Sequence, residues 1–75
     1  MTERLSDVDA GDEFEIGTVT DDQVRARLLR LGFLDGSVRC RRRLHKGPVV
    51  VRRNGTELAI GAAVADDVRV RPLTE

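Results

Sequence analysis

The dipeptide Asn54-Gly55 constrains this chain more than any other feature, because both residues tolerate the positive φ angles of a two-residue type I′ hairpin loop. With that turn in place the register is set: Arg53 faces Thr56, Arg52 faces Glu57, Val51 faces Leu58 and Val49 faces Ile60. Val49, Val51, Leu58 and Ile60 then share one face, and Arg52 meets an opposite charge on the other. Turn chemistry, apolar alternation and charge all select the same pairing.

A second segment changes period. Over residues 21–31, Val24, Leu28 and Leu31 recur at i, i+4 and i+7, with Arg25, Arg27 and Arg30 off the stripe, the mark of a short amphipathic helix. Thr20 as N-cap places Gln23 at the capping-box position, with Val19 able to staple to Val24. Asp21 and Asp22 suit the positive end of the helix dipole. Gly32 at C′ and Phe33 at C″ supply a stop in which Phe33 packs back on Leu28. Leu29 lies one position off the apolar stripe, either widening the buried face or forming an exposed partner contact rimmed by Arg25 and Arg30.

The remaining segments read as short strands. Phe14 and Ile16 alternate with Glu13 and Glu15 in a strand from Glu13 to Val19, entered through Leu5 and Val8, two apolar anchors three apart, and a turn at Gly11. Val38, Cys40 and Leu44 alternate with Arg39, Arg41 and Arg43; Arg42 breaks the alternation and marks a bulge, an edge position or a strand end. Residues 62–67 suit one helical turn, and Val68 and Val70 alternate with Arg69 and Arg71 until Pro72. The predicted fold is mainly β: one domain over residues 1–75, a small five-stranded SH3-like barrel, closed or nearly so, with one short α-helix between the first and second strands. An OB-like barrel is the geometric competitor, and its usual strands are longer.

Such a fold must be held by packing alone. A 75-residue chain buries only about 60% of its unfolded surface. The single Cys40 forms no internal disulfide, and one Cys with one His does not make a four-ligand zinc site. With two Phe and no Trp or Tyr, the core is aliphatic. Met1 runs directly into polar residues, and no stretch approaches the roughly 20 apolar residues of a membrane span, so the expected location is the cytosol.

The residues that carry chemistry have structural explanations. Cys40 lies on the apolar phase of a strand and reads as a buried, inert thiol, and His45 beside Lys46 as a solvated loop residue. No nucleophile, base and orienting group come together in the pattern, so no catalytic residue is assigned. Asp21-Asp22 and Asp66-Asp67 are explained by helix starts and turns, so no metal ligand is assigned. Gly11, Gly32, Gly36, Gly47, Gly55 and Gly61 are spaced as separate turns, which offers no nucleotide cradle and no cofactor site.

Net charge is zero, yet residues 1–22 are acidic and residues 23–53 basic. Adjacent segments of opposite sign either neutralise each other in a small fold or present a basic face. On the second reading Arg39, Arg41, Arg43 and Arg53 would grip phosphates of a nucleic acid, without the aromatic platforms that such barrels usually add.

The pattern as a whole resembles the FeoA family. The resemblance is carried by Leu5-x-x-Val8-x-x-Gly11, by Arg27-Leu28-Leu29-Arg30-Leu31-Gly32-Phe33-x-x-Gly36, by Gly47-Pro48 opening a strand, by Glu57-Leu58-Ala59-Ile60, by residues 62–65 as a helical turn and by Val68-x-Val70. Gly61 and the dense arginine run at 39–43 depart from it. The resemblance implies an SH3-like cytosolic accessory or regulatory protein whose partner is FeoB, a membrane ferrous-iron transporter with a cytosolic GTP-binding domain. It supplies no catalytic residue and no metal ligand. The partner surface expected from the residues comprises Arg25, Leu29, Arg30, Arg39, Arg41 and Arg43. The domain type is also similar to the C-terminal module of DtxR-type metal-dependent repressors.

Overall fold

The computed structural model describes residues 3–73. Its strands are β1 (Glu3–Arg4), β2 (Glu13–Val19), β3 (Ser37–Arg43), β4 (Val49–Arg53), β5 (Thr56–Ile60) and β6 (Val68–Pro72). A 3-10 turn (Leu5–Asp7) follows β1, helix α1 (Asp22–Arg30) joins β2 to β3, and helix α2 (Ala62–Asp66) joins β5 to β6. All pairings are antiparallel, in the order β1-β6-β2-β3-β4-β5.

Two expectations are corrected. The sheet has six strands rather than five, and it is open rather than closed, with β1 and β5 at its two edges. The extra strand is a two-residue pairing, Glu3 with Val70 and Arg4 with Arg69. Two residues carry no alternation for a sequence reading to detect, and the 3-10 turn that follows ends the strand at Arg4.

The β4–β5 hairpin has the register that the Asn54-Gly55 turn dictates, from Arg53–Thr56 to Val49–Ile60. Asn54 and Gly55 have φ of 51° and 82°, as the type I′ loop requires. Val49, Val51 and Ile60 are buried and Leu58 half-buried against them.

Bulges interrupt two other strands. The β3–β4 register shifts between Cys40 and Arg42, leaving Arg41 as the extra residue, so the irregularity signalled by Arg42 is a bulge. Its consequence is a phase change: Leu44 leaves the sheet and is 50% exposed rather than sharing the inner face with Val38 and Cys40. The β2–β6 register shifts between Ile16 and Thr18, at Gly17.

Helix α1 begins one residue later than the capping-box spacing implies. Asp21 is the N-cap, and its Oδ1 accepts from the backbone N–H groups of Gln23 at 2.9 Å and Val24 at 3.0 Å. A carboxylate at this end also meets the positive pole of the helix dipole, which a threonine hydroxyl does not exploit. At the other end Phe33 N–H donates to the Leu28 carbonyl at 2.9 Å and Gly32 N–H to the Leu29 carbonyl at 3.1 Å. These are the two bonds of a Schellman stop, and Gly32 takes the φ of +81° that it needs. Leu28 and Phe33 are fully buried, whereas Leu31, placed on the apolar stripe by its spacing, is the C-cap and 40% exposed.

The core lies on one side of the sheet, beneath α1, α2 and the Leu5 turn. It is built from Leu5, Val8, Phe14, Val38, Val51 and Val70 among others, and no polar or charged residue among those described is buried with them. Among the described residues, no helix is long and apolar enough to cross a membrane.

Candidate partner-binding surface

The site begins with what α1 does not bury. Leu28 enters the core and Val24 packs on its margin, so the residues between them on the helix surface face solvent. Leu29 is 51% exposed, so it does not widen the buried face of the helix. Arg25 precedes it by one helical turn and shares its face; Arg30 follows it. Arg25, Arg27 and Arg30 are exposed, and none of them forms an ion pair within the described residues. Arg25, Leu29 and Arg30 make one basic patch around an exposed leucine, and Leu31, the C-cap two positions further on, lies on another side of the helix end.

The other arginines are differently placed. Arg39 alternates with buried Val38 and Cys40, so it projects from the outer face of the sheet, away from the core that Leu28 enters. Its Nη2 lies 3.2 Å from Glu13. The bulge sends Arg41 across to Glu57, with Nε at 3.4 Å, so the carboxylate opposite Arg52 is occupied by a different arginine. Arg43 lies 3.7 Å from Asp9 and donates to the Ser6 carbonyl at 3.3 Å. Arg53 donates to the carbonyls of Gly32 and Ser37, each at 2.8 Å, and Arg71 pairs with Glu15.

The acidic and basic segments of the chain are therefore brought together strand by strand, and much of the charge asymmetry is neutralised where it arises. Exposed pairs of this kind add little stability, about 0–1 kcal/mol each. Their effect is to engage Arg39, Arg41 and Arg43, while Arg25, Arg27 and Arg30 of α1, together with Arg42, Lys46 and Arg52, form no ion pair among the described residues. The six residues expected at the partner surface divide accordingly: Arg25, Leu29 and Arg30 lie together on α1, and Arg39, Arg41 and Arg43 lie in internal pairs on the sheet.

Below α1 lies a feature that sequence reasoning missed. A groove of about 110 Å3 runs between the helix and the open end of the sheet, lined by Val24, Arg27, Leu28, residues 58–61 and Val64. Period-two alternation and helical periodicity indicate which face of an element is apolar, but not which strand ends the sheet. For that reason no sequence signal marked it.

The remaining candidate groups have structural surroundings. Cys40 is 1% exposed, and burial, assisted by the negative charge of Asp12, holds its thiol above the usual range. Its backbone ties β3 to the preceding turn: the carbonyl accepts from Gly11 N–H at 2.8 Å and the N–H donates to the Asp12 carbonyl at 2.9 Å. His45 sits exposed in the loop between β3 and β4.

Comparison with known proteins places this geometry. The FeoA domain model matches residues 3–72. No curated protein matches the chain by sequence. Among solved structures, the FeoA protein from Chlorobium tepidum superposes with a TM-score of 0.82 at 31% identity, covering 96% of this chain and 71% of that one. A crystal structure described as an iron uptake regulatory protein (FeoA) gives 0.80 at 27% identity, covering 97% of this chain and all of that one. A manganese-dependent transcriptional repressor shares the fold, with a TM-score of 0.77 at 21% identity over 42% of its length.

Proposed function

The chain belongs to the FeoA family, which connects it with ferrous iron transport, and from that premise we propose that it is a non-enzymatic accessory or regulatory protein that binds the cytosolic, GTP-binding part of a FeoB-type transporter. It works in the cytoplasm, at the inner face of the membrane. A regulatory role is in keeping with the description of the similar structure as an iron uptake regulatory protein.

The observation that carries the reading is Leu29, half exposed on α1 between arginines that form no ion pair among the described residues. Most other described arginines are engaged by carboxylates or carbonyls, Arg42 and Arg52 of the sheet excepted, so this helix face, with a leucine among unpaired arginines, suits a partner that offers carboxylates around an apolar socket. Leucine supplies desolvation at the centre and Arg25 and Arg30 supply orientation and encounter rate at the rim. The test is direct binding of the full chain to the intact transporter in nanodiscs, with and without guanine nucleotide.

The nucleic-acid alternative through Arg39, Arg41, Arg43 and Arg53 has less to draw on. Each of these guanidinium groups is engaged by a carboxylate or a backbone carbonyl. Phosphate contacts would have to break those bonds before releasing any counterions.

A further inference from the structure

We propose that the free edge of β5, with the groove beneath α1, receives an extended acidic-apolar segment of the partner as an added strand; this rests on the partner reading above and assigns it a second contact. Three observations converge. First, β5 ends the sheet and no described strand covers it. In a two-residue hairpin the closing pair, Arg53 and Thr56, exchanges hydrogen bonds, so alternation turns the N–H and C=O of Glu57 and Ala59 outward. The edge lacks the usual protection: it carries no proline and no lysine, and its one charge, Glu57, is held by Arg41.

Second, the groove runs along this edge. Leu58 and Ile60 face the core side and Ala59 the opposite side, yet all three line the groove, so it reaches the outer margin of the strand. Its walls are mostly aliphatic, from Val24, Leu28, Leu58, Ile60 and Val64, and suit one branched apolar side chain of an incoming strand. Gly61 leaves the end of the groove open, since a Cβ built there would meet nothing within 4 Å.

Third, Arg27 stands at the rim with no ion pair among the described residues, and it asks for a carboxylate in the incoming segment. The same residue argues against a second copy of this chain as occupant. A twofold pairing sets the same patch against itself and would bring two Arg27-rimmed grooves together. An extended segment that adds main-chain bonds, one apolar side chain and one carboxylate satisfies every group.

The test uses the 15N-labelled full chain with synthetic peptides tiled over the cytosolic part of the transporter, beside hydrogen exchange of the full chain on the intact transporter in nanodiscs. The proposal expects a tile with alternating apolar residues and a carboxylate to shift the amides of Glu57 and Ala59 and slow their exchange. Arg27→Glu should weaken that tile about fivefold, and Ala59→Pro, which removes an outward donor, should abolish its binding. Arg27→Glu lies on a helix surface and keeps the test valid should Ala59→Pro fail to fold. If the intact transporter binds but neither protects the edge nor responds to Arg27→Glu, the edge proposal is overturned and the α1 reading stands. If the intact transporter does not bind at all, both fall. Protection of the edge by self-association alone, seen with dimeric mass, also overturns it.

Discussion

The Arg53 side chain, at the end of β4, donates from Nε to the carbonyl of Gly32 at 2.8 Å and thereby fastens the hairpin to the stop of helix α1. The same guanidinium donates to the Ser37 carbonyl at 2.8 Å and lies flat over Gly36, where an added Cβ would come within 2.8 Å of Nη1 and 2.9 Å of Nη2. This explains the spacing Gly32-Phe33-x-x-Gly36: the first glycine makes the left-handed stop, and the second leaves room for the arginine that reads it. Arg53→Met should cost about 2 kcal/mol, because two carbonyls lose a charged donor in a half-buried place. Gly36→Ala should cost about 1 kcal/mol in the natural chain and much less in the Arg53→Met background, as a double-mutant cycle by urea denaturation would show. Additive costs would mean that the two residues act separately.

The start of α1 offers a sharper discrimination. Because Asp21 and not Thr20 accepts from Gln23 and Val24, Asp21→Ala should lower stability by about 1 kcal/mol and Thr20→Ala should change it little. Denaturation midpoints of the two variants check this, and the reverse order would restore the capping-box reading.

That contrast shows where the sequence is informative and where it is not. The hairpin register and the Schellman stop were legible because each depends on residues next to one another in the chain and on backbone angles that few residues adopt. The N-cap lies one residue beyond the capping-box position because Thr20 and Asp21 are both competent caps, and only the backbone path decides between them. Alternation alone puts Leu44 on the inner face, because Arg42 signals the position of the bulge but not its phase change. The two-residue β1, the open edges and the groove beside β5 depend on long-range pairing, which leaves no local pattern. For the candidate site, Leu29 and its arginine rim were visible as a departure from the stripe. The arginines of the sheet were visible only as a charge run, since their carboxylate partners come from distant segments.

Burial of Cys40 carries a pH dependence with a definite sign. The folded thiol titrates above its unfolded value, so the stability it contributes is fully present below the pH at which the unfolded thiol ionises and declines as pH rises toward the folded value. Urea midpoints of the natural chain should fall more steeply above that pH than those of Cys40→Val, which has no thiol to ionise. At neutral pH the native thiol should resist alkylation by iodoacetamide and become reactive on unfolding. Fast modification of the folded chain would contradict its burial.

The outer-face arginines give the complementary expectation for nucleic acid. With Arg39, Arg41 and Arg43 held by Glu13, Glu57 and Asp9, the chain should be retained weakly or not at all on a heparin or single-stranded DNA column at 150 mM salt. Elution from such a column, compared with Arg39→Gln and Arg41→Gln variants, measures this directly. Strong retention that both substitutions reduce would revive the nucleic-acid reading.

The most direct test of a partner surface on α1 is the affinity of the full chain for the intact FeoB-type transporter in nanodiscs, measured for the natural protein, Leu29→Asp and Arg39→Gln. Leu29 is exposed and holds no core contact that the fold needs, so the thermal midpoint should be nearly unchanged while affinity falls about tenfold or more. Arg39→Gln should bind as the natural chain does. Equal binding by Leu29→Asp, or a loss confined to Arg39→Gln, would place the partner elsewhere and contradict the account.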